Sequence, residues 1–208
     1  MSKSLCCLAF ESLYNKLFTD SPRISYDKFK SIIHSNAELP LKAPLFITWN
    51  KNEQLRGCIG TFQPLPIESG TKRFSLTSSL QDPRFPPIGK LEFNLLSVSV
   101  TLLDNFEPAK EWDDWTVGDH GLKVNFNKDG EMYLGTFLPS VAVEQEWDKI
   151  TTLAYLLKKA DYTGVLKSKT TEFYQTGIDE GWLELVRYEG VKECLDYNEF
   201  MELRNSIK

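Results

Sequence analysis

The sequence predicts an α+β fold: two-lobed, with a largely antiparallel sheet flanked by helices. Three observations predict it. Apolar residues alternate with polar ones in several short segments; two pairs of these segments flank polar turns; and the regular strand-then-helix order of a parallel α/β sheet is missing. At 208 residues, 41% hydrophobic and 25% charged, the chain is long enough to bury a substantial core.

Taken in order, Leu5, Ala9, Leu13 and Leu17, with Phe10 and Tyr14 between them, recur at helical spacing and stop before Asp20-Ser21-Pro22. A second helix is expected over Asp27 to His34. Leu45 to Trp49 and Leu55 to Phe62 flank the polar Asn50 to Glu53, the pattern of a hairpin. A helix near Thr71 to Leu80 leads into Asp82-Pro83-Arg84-Phe85-Pro86-Pro87, whose paired prolines fix its path. Leu95 to Leu103 reads as a strong strand, because Leu96, Val98, Val100 and Leu102 alternate with Ser97, Ser99 and Thr101. The acidic, irregular Asp104 to Asp119 is the expected lobe connection.

Gly121 to Phe126 and Glu131 to Phe137 flank Asn127-Lys128-Asp129-Gly130, a hairpin signalled by Asp-Gly. Ser140 is the expected cap of a short helix over Val141 to Glu146, and Asp148 of a longer one with Ile150, Leu153, Ala154 and Leu157 on its inner face. Lys158 and Lys159 suit the end of its dipole. A strand near Trp182 to Tyr188 and a helix near Tyr197 to Ile207 complete the chain.

Composition narrows the function classes. The net charge of −5 opposes nucleic-acid binding through bulk charge. Apolar runs such as Leu5 to Phe10 and Leu153 to Leu157 are far shorter than the ~20 residues of a membrane span. Glu11 breaks the first of these runs and no small-residue cleavage site follows, so no export signal is expected. Cys6, Cys7, Cys58 and Cys194 form no C-x-x-C pair and read as reduced intracellular thiols. With His34 and His120 the only histidines, no metal site and no cofactor are expected.

Leu55-Arg56-Gly57-Cys58-Ile59-Gly60-Thr61-Phe62 is the most unusual segment. On a strand Arg56 and Cys58 share a face, and a neighbouring guanidinium favours thiolate, the reactive form. Gly57 and Gly60 mark a bulge or a close approach of ligand or backbone. The competing reading is a buried cysteine in a tightly packed strand. The first reading predicts fast alkylation of Cys58, slowed by Arg56→Ala; the second predicts protection until unfolding. His120, in Gly118-Asp119-His120-Gly121, is the candidate base with Asp119 to orient it, or else a surface turn histidine. Arg84, with Arg56 and Arg73, forms an anion-binding cluster in one reading; in the other it pairs with Asp82 or a backbone carbonyl. Glu144, Trp147 and Asp148 sit at a break between two helices, as cleft residues or as cap and core.

These residues resemble the AMMECR-type domain family, named after Alport syndrome, mental retardation, midface hypoplasia and elliptocytosis. The octapeptide from Leu55 to Phe62 resembles the family signature. Asp82 to Pro87, Ser97-Val-Ser-Val100, His120-Gly-Leu122 and the run from Leu138 to Asp148 fall in the family's order. Two positions depart from it: Ser140 stands where many members have Gln, and Lys159-Ala-Asp161 replaces Lys-Ala-Gly. The resemblance implies a single domain over 1–208, with a large lobe from both chain ends and a smaller mid-chain lobe, and a cytoplasmic or nuclear home. It implies no established reaction, although the company its relatives keep suggests a shared modification pathway.

Two function classes follow. In the first, a binding or adaptor domain recognises an acidic protein partner or a small anionic ligand in a groove around Arg56 and Cys58, with Gly57, Gly60, Arg84, Glu144 and Trp147 contributing. In the second, a thiol-dependent enzyme uses Cys58 as nucleophile and His120 as base. Neither nucleic acid nor membrane is expected as a partner.

Overall fold

The computed structural model describes residues 3–33 and 39–207; His34 lies outside the described residues. The chain divides into two compact units, Met1–Leu103 with Val191–Lys208, and Asp104–Gly190. Strands β1 (Lys42–Lys51), β2 (Gln54–Pro66), β3 (Leu96–Pro108), β4 (His120–Lys128), β5 (Glu131–Phe137) and β6 (Leu183–Asp196) lie in the order β2-β1-β3-β6-β4-β5. β1 pairs antiparallel with β2 and β3, and β4 with β5 and β6. The fold is α+β. The Asp104 to Asp119 stretch is less irregular than its composition suggests, because Asp104–Pro108 continues β3 and the Ala109 N–H donates to the Leu185 carbonyl at 2.8 Å.

In the first unit, α1 (Ser4–Leu17), α2 (Tyr26–Ile32), α3 (Ile67–Leu80) and α7 (Tyr197–Ser206) accompany β1, β2 and the first half of β3. α1 is buried on nearly all sides from Leu5 to Phe10, more completely than a one-faced amphipathic helix would be. Phe10 explains why: its ring meets Trp49 edge-on at 5.1 Å and stacks on Phe200 of α7 at 4.8 Å. Buried Glu11 accepts from Arg204 Nε at 2.8 Å and from the Ile24 N–H at 2.9 Å, tying the first helix to the last. A buried carboxylate is tolerable only with such partners.

α3 presents small residues to the sheet. Ser75, Ser78 and Ser79 turn their hydroxyls back onto carbonyls of the preceding turn at 2.5–2.7 Å, which satisfies them without adding bulk. β2 therefore lies so close that a Cβ on Gly57 would fall 2.1 Å from the Ser78 carbonyl oxygen.

The second unit wraps the β4–β5 hairpin and the first half of β6 with α4 (Pro139–Glu144), α5 (Lys149–Lys159) and α6 (Thr170–Asp179). The hairpin turns at Asp129 (φ 55°) and Gly130 (φ 84°), both left-handed as a two-residue turn requires. Ser140 does not cap α4: Pro139 occupies the first helical position and Leu138 is the cap. Asp148 does cap α5, accepting the Thr151 N–H at 2.7 Å. The inner face of α5 is Thr152, Leu153, Leu156 and Leu157; Ile150 is exposed, so the apolar stripe is rotated from the expected one. α6 was not legible in the sequence, because Thr170, Thr171 and Gly177 weaken its helical signal.

α4 and α5 end alike. The Trp147 N–H reaches the Ala142 carbonyl (2.8 Å) and Glu146 that of Val143 (3.0 Å); Tyr162 reaches Leu157 (2.9 Å) and Asp161 reaches Lys158 (3.0 Å). These are paired Schellman closures, with Glu146 (φ 55°) and Asp161 (φ 61°) in the left-handed position that glycine favours. Asp161 is the residue that departs from the Lys-Ala-Gly pattern. Asp161→Gly is therefore expected to stabilise the protein by about 0.5–1 kcal/mol, read as an upward shift in thermal midpoint of roughly 1–4 °C.

Candidate functional site

Arg56, Gly57, Cys58 and Gly60 all lie on β2, at the outer edge of the strand order. Cys58 stands opposite Thr48 on β1, yet its N–H donates to Asp82 Oδ2 at 2.9 Å and its carbonyl accepts from Arg84 Nη2 at 3.0 Å. Its peptide groups thus point away from β1, and an acceptor and a donor meet them where the next strand would be. Asp82 and Arg84 are locked together: Arg84 Nε and Nη2 donate to the two carboxylate oxygens at 2.9 and 2.7 Å, and the Arg84 N–H adds a third bond at 3.1 Å. Hydrogen bonds from the Arg84 side chain, and then from the Cys58 and Arg84 N–H groups, hold the buried Asp82 carboxyl well below its usual range despite burial.

Arg56 is bound elsewhere. Its Nε and Nη2 form a fork on Glu92 at 3.1 and 2.8 Å, and Glu92 also accepts from Lys51 Nζ and the Gly89 N–H, each at 3.1 Å. Burial pushes the Glu92 carboxyl up, but the bonds from Arg56, Gly89 and Lys51 outweigh it and bring the group from 4.5 down to about 2. Arg56 Nη1 is buried with no hydrogen-bond partner among the described residues. Beside this cluster is an open depression of about 630 Å³ bordered by Lys51, Arg56, Pro86, Pro87, Lys90 and Glu92.

The Cys58 thiol accepts from the Thr48 hydroxyl at 3.1 Å. Thr48 in turn stands opposite Ser99 on β3, whose hydroxyl lies 3.0 Å from Cys194 Sγ. Register alone aligns Cys58, Thr48, Ser99 and Cys194 in one row across four strands, which no local pattern announces. Gly57 and Gly60 are packing positions: a Cβ at Gly60 would lie 2.3 Å from both the Leu45 carbonyl oxygen and the Phe46 ring. Arg73 lies over its neighbour Phe74 at 5.5 Å.

His120, Glu144 and Trp147 belong to the second unit. His120 Nδ1 accepts the Thr116 N–H at 3.0 Å while the His120 N–H returns to the Thr116 carbonyl at 3.0 Å, so this side chain ties the turn that enters β4. Trp147 stacks on Tyr155 at 4.3 Å and meets Phe137 edge-on at 5.6 Å, while Glu144 ends α4 exposed. Among the described residues no three His, Cys, Asp or Glu side chains converge as a metal-ligand set, and no helix is long and apolar enough to cross a membrane.

The AMMECR1 family model matches residues 6–178. The chain belongs to the AMMECR1 family. It is 35% identical to an uncharacterised protein of Saccharomyces cerevisiae over 226 aligned positions, covering 96% of this chain and 88% of that one. A Schizosaccharomyces pombe relative, also uncharacterised, is 43% identical over 129 positions, 60% of this chain and 67% of its own. The crystal structure of an uncharacterised Pyrococcus horikoshii protein superposes with a TM-score of 0.67 at 25% identity, covering 95% and 94% of the two chains.

Both depressed carboxyls predict acid sensitivity. Their stabilisation is present in full above the unfolded values of 3.8 and 4.5 and is lost as pH falls toward the folded ones. Unfolding by urea at a series of pH values should show stability declining below about pH 4.5, with a shallower decline in Asp82→Asn and in Glu92→Gln. Native alkylation should follow exposure: Cys194 first, half-buried Cys58 next, and Cys6 and Cys7 only on unfolding, since burial pushes the Cys7 thiol up to about 12 and Cys6 higher still. With its guanidinium forked on Glu92, Arg56→Ala should change the Cys58 rate by less than about twofold. Mass spectrometry after brief iodoacetamide treatment reads all four sites; Cys58 labelling ahead of Cys194, and slowed in Arg56→Ala, would restore the thiolate role.

Proposed function

We propose that the protein is a binding module whose first unit recognises a carboxylate- or phosphate-bearing ligand at the depression beside Arg56. One observation carries this reading: Lys51, Arg56 and Lys90 border the depression with Glu92 as the counter-charge, and Arg56 Nη1 is a buried donor with no acceptor. A buried donor left unpaired is unfavourable by about 1–3 kcal/mol, and an incoming anion oxygen supplies what it lacks. Glu92 holds the guanidinium plane in place, so binding requires little reordering. Pro86 and Pro87 give the opposite wall a fixed backbone.

The residues of this module differ from the sequence expectation at one point. Arg84 serves the β2 edge, whereas Lys51 and Lys90 take its place as the cations beside Arg56. The thiol-enzyme reading has one observation in its favour, the Thr48 hydroxyl that would stabilise a thiolate on Cys58. Against it, His120 Nδ1 is already engaged by a backbone N–H, which leaves Cys58 without an evident base. Four free thiols fit a reducing compartment, cytoplasm or nucleus.

Titration of the ¹⁵N-labelled protein with citrate and with inorganic phosphate tests the reading. Saturable shifts are expected at the amides of Lys51, Arg56 and Lys90, weakened at least about tenfold in Lys51→Glu/Lys90→Glu. Equal response of wild type and variant would sink it.

A further inference from the structure

The second unit has a depression of its own, of about 440 Å³. Its floor is the edge-to-face pair Phe173 and Trp182, 5.1 Å apart, and its walls include Val165 and Leu166. The floor is rigid: both rings pack on Phe126, at 5.6 and 6.3 Å, and Trp182 Nε1 donates to Glu180 at 2.9 Å. Leu166, in contrast, is 75% exposed at the rim. Lys128 lies with its ammonium 5.0 Å above the Trp182 ring and pairs with no carboxylate among the described residues. Lys169 also borders the depression, bridged to Glu172 at 2.6 Å, and Lys167 on the same turn bonds only the Thr151 hydroxyl, at 2.8 Å.

We infer that this depression is a docking site for an acidic segment of a partner protein, one that places an apolar side chain on Phe173 and Trp182 with carboxylates against the lysines. Charge complementarity selects the occupant. In a chain of net charge −5, three lysines here face one glutamate, and Lys128 and Lys167 are not neutralised by any ion pair. The apolar floor selects against a purely electrostatic partner, since generic polyanions bind through phosphate contacts and need many cations. The open form favours a side chain presented by a chain over a small molecule, which such pockets ordinarily bury by 70–90% or so. Aromatic anchors with a charged rim are also the usual anatomy of a compact recognition site. The site is independent of the depression beside Arg56.

The test uses the full ¹⁵N-labelled chain and a blocked hexapeptide, acetyl-Glu-Asp-Leu-Phe-Asp-Glu-amide. Saturable shifts are expected at the Trp182 indole N–H and at the Leu166 and Lys169 amides, diminished by added salt. Lys128→Glu/Lys169→Glu should weaken binding at least about tenfold. Leu166→Glu, at an exposed position that leaves folding intact, should do likewise, with the unchanged remainder of the spectrum reporting the fold. The same peptide with Ser-Ser at its centre should leave the Trp182 indole unmoved. The inference is overturned if millimolar peptide leaves that indole unshifted, if neither variant weakens binding, if the Ser-Ser peptide or a random-sequence oligonucleotide binds equally well, or if the shifts fall only at Lys51 and Lys90.

Discussion

A strand at the border of a sheet carries a row of backbone donors and acceptors with no strand to meet them, and in the first unit β2 is that strand. At Cys58 the chain answers with side chains. The Asp82 carboxylate takes the outward N–H and the Arg84 guanidinium takes the outward carbonyl, while ion pairing fixes the two against each other. Ten residues later Glu92 repeats the device one position away in the pleat, seizing Arg56 instead of backbone. The segment between α3 and β3 is thereby fastened to β2 at two points. The walls of the Arg56 depression, Pro86 and Pro87 on one side and Glu92 on the other, are parts of that fastening.

This arrangement accounts for the composition of the octapeptide. Gly57 admits α3, Gly60 admits the Phe46 ring, and the alternating partners Arg56 and Cys58 face the opposite way and receive Glu92 and Thr48. A segment that looks catalytic because it sets a cation beside a thiol is equally well explained as an edge strand under heavy steric and hydrogen-bonding demands. What it leaves over for recognition is small and specific: one guanidinium nitrogen without an acceptor, and two lysines on an open rim.

The second unit solves a different problem with the same economy. Both α4 and α5 stop within a hydrogen-bonded turn whose critical residue is acidic where glycine would be easier, and each closure delivers an aromatic ring to the core side: Trp147 onto Tyr155 and Phe137, Tyr162 onto Phe126 and Tyr133. The aromatic bed that Tyr162 joins is continuous with the Phe173–Trp182 floor. Helix termination and the shape of the surface depression are linked through these rings.

By itself, the sequence determined the α+β class, the two tight hairpins and the Asp148 cap. All three depend on residues near one another in the chain: alternation with period two, turn residues that accept left-handed angles, and a carboxylate three residues ahead of the N–H it caps. It also singled out Arg56, Cys58 and Arg84, because glycine, arginine and cysteine crowded onto one strand are unusual anywhere. Which partner each would take was not legible. Arg84 had Asp82 within two residues and Arg56 found Glu92 thirty-six positions away, and only the tertiary structure distinguishes these outcomes. The same holds for Cys194, brought into the row of Cys58, Thr48 and Ser99 by register, and for α6, whose weak intrinsic helicity is overridden by the burial of Tyr174 and by Gly177 packing on Leu183 and Trp182. Local pattern specifies backbone shape, since that is set by short-range sterics and hydrogen bonding; a long charged side chain chooses among distant partners, and that choice exists only after the chain has packed.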